Sequence, residues 1–206
     1  PDPAAIELRQ AAADYFGCSH EEIIAGNGSD EIIDFICRAF LTPGDKVLIP
    51  DCTFSYYRIA ALACGADVIR TPMDGMRIDE SGIEQALAQH ATIKLVFLAN
   101  PNNPTGTYLA WEHLSRLVEV TPPETILVID EAYSIFARAT DFSSALDMIK
   151  NHDNIIIINT LSKSHGLAGM RVGFGLASRP IIETLWRVKP PFNLNLLAIK
   201  AGTAAL

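Results

Sequence analysis

Long apolar runs are scarce in this 206-residue chain, and their absence excludes a first class of functions. Stretches such as IIII (155–158) and LVFLA (95–99) fall far below the ~20 residues needed to span a bilayer. The opening PDPAAIELRQ has no basic region followed by an apolar one, so it does not resemble a signal peptide, and a cytoplasmic location is expected. Basic residues are also in deficit: 16 Lys and Arg against 24 Asp and Glu leave a net charge of -8. No basic cluster offsets that average, which argues against a nucleic-acid or anionic-membrane partner. The four cysteines (18, 37, 52, 64) show no CxxC spacing, and the five histidines (20, 90, 113, 152, 165) show no ligand spacing, so no metal site is expected.

What remains is a chain that is 49% hydrophobic, enough for one sizeable core. Strand-like and helix-like segments alternate along it. AIELRQAAADYFG reads as a helix stopped by Gly17, and IIAG (23–26) as a short strand. SDEIIDFICRAFL (29–41) reads as a helix with Ser29 as N-cap and two acids in its first turn. VLIP (47–50) is a strand, SYYRIAALAC a helix, DVIRT a strand and GIEQALAQH a helix. Three further strand–helix units follow: KLVFLAN with WEHLSRLVEV, TILVIDE with SSALDMIKN, and NIIIINTL with a lysine-bearing loop. The strands are almost wholly apolar rather than alternating, which suits a mostly parallel sheet covered on both faces. The expected fold is therefore a three-layer, doubly wound α/β/α domain over residues 1–206. The bare start at Pro1 and the uncapped helical pattern LLAIKAGTAAL at the end are expected to mark a piece of a longer protein.

Ligands of open parallel sheets bind beyond the carboxyl ends of the strands, and the unusual residues of this chain fall there. PNNPTG (101–106) is a rigid turn presenting Asn102 and Asn103. Asp130, Glu131 and Tyr133 follow one strand, and Ser162 and Lys163 follow another. Taken singly these are loop, cap or surface residues. Together they place an amide, a carboxylate, a phenol and an amine on one rim, which matches the needs of pyridoxal phosphate. A carboxylate keeps the pyridine nitrogen protonated so that the ring accepts electrons. Asn103 and Tyr133 are candidates for the phenolate oxygen. Lys163 is the Schiff-base amine and proton carrier, and it is expected to be held away from bulk water at the end of the apolar run 154–161.

The phosphate needs its own site. GNGSDEII (26–33) joins a strand to a helix, where N–H groups and the positive helix end favour an anion, with the Ser29 hydroxyl beside them. Arg171 adds a charged clamp. Asp30 and Glu31 are expected to turn outward, since their carboxylates would repel a phosphate. Phe54, after VLIP, is a candidate to stack on the pyridine face or an ordinary core aromatic. The rival reading is a dinucleotide fold, because Gly26 and Gly28 stand in G-x-G register and Asp51 ends the next strand. It fails at the third glycine, occupied by Glu31, and leaves Asn103, Asp130, Tyr133 and Lys163 unexplained.

NPNNPTG (100–106), VIDEAY (128–133) and TLSKSHGLAGMRVGF (160–174), with GSDE upstream, resemble the class I/II aminotransferases of pyridoxal-phosphate fold type I over essentially the whole chain. PDP at the start, NGSDEII and PFNLN are similar to the histidinol-phosphate branch. The resemblance implies Lys163 for cofactor attachment, Asp130 for the pyridine nitrogen, and Tyr133 with Asn103 for the phenolate oxygen. It places Ser29, Asp30, Thr160, Ser162 and Arg171 around the phosphate and Phe54, often a tyrosine in the family, against the ring. It further implies small amino- and keto-acid substrates and a homodimer. A partner tyrosine and a substrate-carboxylate arginine would lie outside these residues, so the chain reads as the cofactor-binding large domain and is expected to transaminate poorly by itself. Readings that keep the same motifs are an aromatic aminotransferase, an amino-acid-phosphate decarboxylase and a non-catalytic cofactor-binding domain of a regulator.

Overall fold

A computed structural model describes residues 2–90 and 92–206. Pro1, which opens the PDP run, lies outside the described residues. Helix α1 (Ile6–Phe16) ends at Gly17, whose φ of 70° supplies the left-handed stop that the sequence signals. Strand β1 (Ile23–Asn27) passes into α2 (Ser29–Phe40), β2 (Lys46–Pro50) into α3 (Tyr56–Ala63), and β3 (Asp67–Thr71) follows. A small hairpin of β4 (Met73–Asp74) and β5 (Arg77–Ile78), absent from the sequence reading, leads to α4 (Glu80–Gln89). Its strands are two residues each, too short to carry an alternation signal. Then come β6 (Ile93–Ala99), α5 (Trp111–Val120), β7 (Ile126–Asp130), β8 (Ile155–Thr160), β9 (Val172–Ala177), α6 (Arg179–Trp186) and α7 (Leu196–Ala205). The segment expected as a helix at SSALDMIKN is a 3-10 turn over Ala145–Lys150. Six residues cannot repay helix nucleation by themselves.

Seven strands form one sheet in the order β1-β9-β8-β7-β6-β2-β3. The pairs β3–β2, β2–β6, β6–β7 and β7–β8 are parallel, whereas β9 is antiparallel to both β8 and β1. The domain is thus three-layered α/β/α with a mostly parallel sheet, as the apolar strands require. One core packs α1, α4, α5 and α7 on one face, and the other packs α2, α3 and α6 on the opposite face. Successive residues of β8 serve the two layers alternately: Ile155 and Ile157 join the first core, Ile156 and Ile158 the second. No described helix is long and apolar enough to cross a membrane.

Strand direction positions the site. The carboxyl ends of β1, β2, β6, β7 and β8 share one edge of the sheet. Because β9 runs the other way, the residue before it, Arg171, meets that same edge.

Candidate active site

A cavity of about 180 Å³ opens at this edge. Its wall is built at five strand ends: Ser29 and Asp30 after β1, Phe54 and Tyr57 after β2, Asn103 after β6, Asp130 and Tyr133 at the end of β7 and just past it, and Thr160, Ser162 and Lys163 at the end of β8 and just past it, with Arg171 entering before β9. Every residue singled out for the cofactor from sequence lines this one cavity. Residues 141 positions apart are neighbours here: Arg171 Nη2 lies 3.0 Å from Asp30 Oδ2.

Asp130 is the most constrained member. It is buried at the end of β7, where its Oδ1 accepts the Ala132 N–H at 3.0 Å and its Oδ2 accepts the Tyr57 hydroxyl at 2.7 Å. Among the described residues no basic side chain lies within 4.0 Å of it. Burial therefore pushes its carboxyl above the ordinary value, while the hydrogen bonds from Tyr57 and Ala132 pull the other way. A buried carboxylate with Lys163 acting on it only at longer range is incomplete electrostatically, and a cationic N–H ligand in contact would complete it.

Lys163 differs from expectation. It lies in the turn beyond β8 and is exposed, with its Nζ 5.5 Å from the centroid of the half-buried Tyr133 ring. The apolar residues of β8 point into the two helical layers rather than over the turn, so they do not dry the amine. Thr160 Oγ1 ties the loop, donating to Val172 O (3.1 Å) or Ser162 Oγ (3.0 Å) and accepting the Ser162 N–H at 3.2 Å.

The anion cradle also departs in detail. Ser29 is the first residue of α2, not its N-cap; that place is taken by Gly28, whose φ of 85° no Ser would adopt without strain. A Cβ on Gly28 would meet Arg171 Nη2 at 2.3 Å, so glycine is what admits the guanidinium. Glu31 does turn away from the cavity, accepting from Asn27 N–H at 2.6 Å and Asn193 Nδ2 at 2.7 Å. Asp30 does not turn outward, because Arg171 is within reach. Both side chains of that pair are about two-fifths exposed, so it is worth little and is open to exchange for a stronger anion.

Three other residues part from the sequence reading. Asn102, grouped with Asn103, is turned inward: its amide donates to Cys52 O and Thr105 Oγ1 and accepts from Thr53 Oγ1, which staples the loop. Glu131 leaves the rim and buries its carboxylate against Ala145 N–H and Ser144 Oγ, both 2.7 Å away. Tyr57 was not singled out at all, yet it is buried on Asp130. Its place in the first turn of α3, three residues after Phe54 in the loop beyond β2, was the available signal.

The residues fit a pyridoxal-phosphate-like group on the chemistry present: an amine, a cation-free buried carboxylate, a ring-sized aromatic at Phe54, and a helix N-terminus beside an arginine. Comparison with known proteins agrees in kind. The profile of the family "Aminotransferase class I and II" matches residues 1–206. A histidinol-phosphate aminotransferase of Maricaulis maris is 42% identical over 206 residues, covering 100% of this chain and 56% of the relative. The solved histidinol-phosphate aminotransferase of Sinorhizobium meliloti, in complex with pyridoxal-5'-phosphate, superposes with a TM-score of 0.92 at 28% identity, covering 100% of this chain and 55% of that one. The L-threonine-O-3-phosphate decarboxylase of Porphyromonas gingivalis superposes with a TM-score of 0.84 at 26% identity, covering 99% and 62%. The chain spans about half the length of the relatives it matches.

Proposed function

Because this chain belongs to the class I and II aminotransferase family, we propose that it is the cofactor-binding large domain of a pyridoxal-phosphate-dependent aminotransferase. Its proposed reaction moves an amino group between histidinol phosphate and 2-oxoglutarate, giving glutamate and an imidazole-bearing keto phosphate ester. The observation that carries this is the convergence of Asn103, Asp130, Tyr133, Lys163 and Arg171 on one cavity. The similarity to histidinol-phosphate aminotransferases supports the choice of substrate. A homodimer and a cytoplasmic location belong to the same proposal; four free cysteines accord with a reducing compartment.

Pyridoxal phosphate, when bound, supplies a ring that accepts the electrons released as a substrate Cα loses its proton. The residues of this chain that would hold it and move protons around it are those of the cavity. Lys163 Nζ attaches the cofactor and, once released, carries the proton to and from the substrate carbon. Asp130 keeps the ring nitrogen protonated from its buried position, and Asn103 with Tyr133 hydrogen-bonds the phenolate oxygen. Ser29, Thr160, Ser162 and Arg171 would hold the phosphate, and the part-exposed pairing of Arg171 with Asp30 leaves the guanidinium available for it. Phe54 covers one ring face and, lacking a hydroxyl, gives no hydrogen bond there. A groove of about 650 Å³ continues from Asn103 and Tyr133 past Tyr108, Phe136 and Arg138, offering room for a substrate.

The full-length protein given histidinol phosphate and 2-oxoglutarate should produce glutamate; no glutamate would sink the substrate assignment. Likeness to the threonine-phosphate decarboxylase makes amino-acid-phosphate decarboxylation the second reading, for which release of carbon dioxide from L-threonine O-3-phosphate, supplied in place of histidinol phosphate, is the mark.

A further inference from the structure

Among the described residues Tyr57 is the one fully buried tyrosine in contact with the site, and nothing in the proposed chemistry uses its hydroxyl. Its relative exposure is 0%, and its ring stacks on Phe97 with centroids 4.9 Å apart and planes 8° from parallel. The opposite constraint comes from Phe54, whose ring meets Tyr57 edge-on at 5.5 Å and 85°. The phenol therefore has one orientation, with its O–H aimed at Asp130 Oδ2 2.7 Å away. Burial pushes the phenol well above its ordinary range, so it stays protonated and can only donate in this contact.

We propose that Tyr57 is a positioning residue that holds the Asp130 carboxylate, in its ionised form and in one rotamer, for the ring nitrogen of the cofactor. The geometry is a two-point hold. The Ala132 N–H fixes Oδ1 and the Tyr57 O–H fixes Oδ2, so the carboxylate cannot rotate, and each oxygen keeps a lone pair for a ligand. Without the phenol, a buried carboxylate with no cation in contact would lose its stronger donor and take up a proton instead, and a neutral acid holds a pyridinium N–H poorly. The same ring backs Phe54, so one side chain sets both the acid at the ring's edge and the aromatic at its face. This inference rests on the cavity being a pyridoxal-phosphate site.

The test compares two probes on the full-length protein: pyridoxal phosphate and its 1-deaza analogue, in which C–H replaces the ring nitrogen. Tyr57→Phe keeps the stacked ring and removes only the hydroxyl. A lost hydrogen bond to a charged group predicts that affinity for pyridoxal phosphate falls about tenfold or more. Affinity for the deaza analogue should change less than about twofold, since it makes no use of the carboxylate, and that binding also reports an intact fold. In the Asp130→Asn background, Tyr57→Phe should add almost nothing. Equal weakening of both probes, no weakening of either, or a further tenfold loss on top of Asp130→Asn would each overturn the proposal. Failure of the parent reading looks different: the wild-type protein would show no absorbance band dependent on Lys163.

Discussion

At the scale of single residues, the site depends on atoms that are absent as much as on those present. Gly173 in β9 lies so close to the start of α2, the proposed phosphate site, that a Cβ there would meet Ser29 N at 2.3 Å and Gly28 C at 2.4 Å. Backbone atoms cannot swing aside as a side-chain tip can, so Gly173→Ala must shift the start of α2 or the strand. The expected cost is roughly 1–3 kcal/mol of overpacking, read as a lower urea midpoint, together with weaker binding of pyridoxal phosphate. A variant with wild-type stability and affinity would show that the cradle has slack. Lys163→Ala removes the only proposed attachment point, so the absorbance band of bound cofactor should vanish while the fold, built on residues beneath the turn, persists.

At the scale of elements, Glu131 links β7 to the 3-10 turn over Ala145–Lys150. Its buried carboxyl is pushed up to about 7, chiefly by burial, although the Ser144 hydroxyl and Ala145 N–H bonds oppose the shift. The folded chain therefore holds this proton more tightly than the unfolded chain, whose value is near 4.5. The stability this contributes is complete below about 4.5 and is lost as pH rises through about 7. That interval corresponds to about 3 kcal/mol. Glu131→Gln keeps an acceptor for Ala145 N–H and cannot ionise, so its unfolding free energy should be flatter than that of the wild type between pH 5 and 8. Parallel curves for the two proteins would remove Glu131 from the account. This link was not legible in sequence, where Glu131 looked like a rim acid beside Asp130. Adjacent strand residues point to opposite sides, and only one of the two could face the cavity.

On the scale of the whole molecule, five loops meet only because the sheet holds them. A ligand that bridges them stabilises the folded state by mass action, by about 2.7 kcal/mol at a hundredfold excess over its Kd. Pyridoxal phosphate should accordingly raise the melting temperature of the full-length protein, and Lys163→Ala should shrink that rise. A melting curve unmoved by the cofactor would argue that the loops do not close on a shared ligand. Against the acidic balance of the chain, -8 overall, Arg171, Lys163 and the positive end of α2 are positive features at the cavity, which the proposed phosphate would need.

Sequence by itself determined the layered α/β/α domain, because apolar strands and amphipathic helices each carry a period that burial must satisfy. It also located residues of the rim: strand ends are places that spacing can locate, so Asn103, Asp130, Tyr133 and Lys163, which line one cavity, are readable in order. Which side chains meet was decided only in three dimensions. The reversed direction of β9 carries Arg171 to the rim and into contact with Asp30, and no local pattern encodes a strand's direction. Tyr57 reaches Asp130 across 73 residues because β2 and β7 flank β6. Asn102 folds inward because the sheet brings Cys52, Thr53 and Thr105 within hydrogen-bonding reach of its amide, whereas Lys163 stays exposed because the apolar residues of β8 pack into the helical layers instead of over its turn.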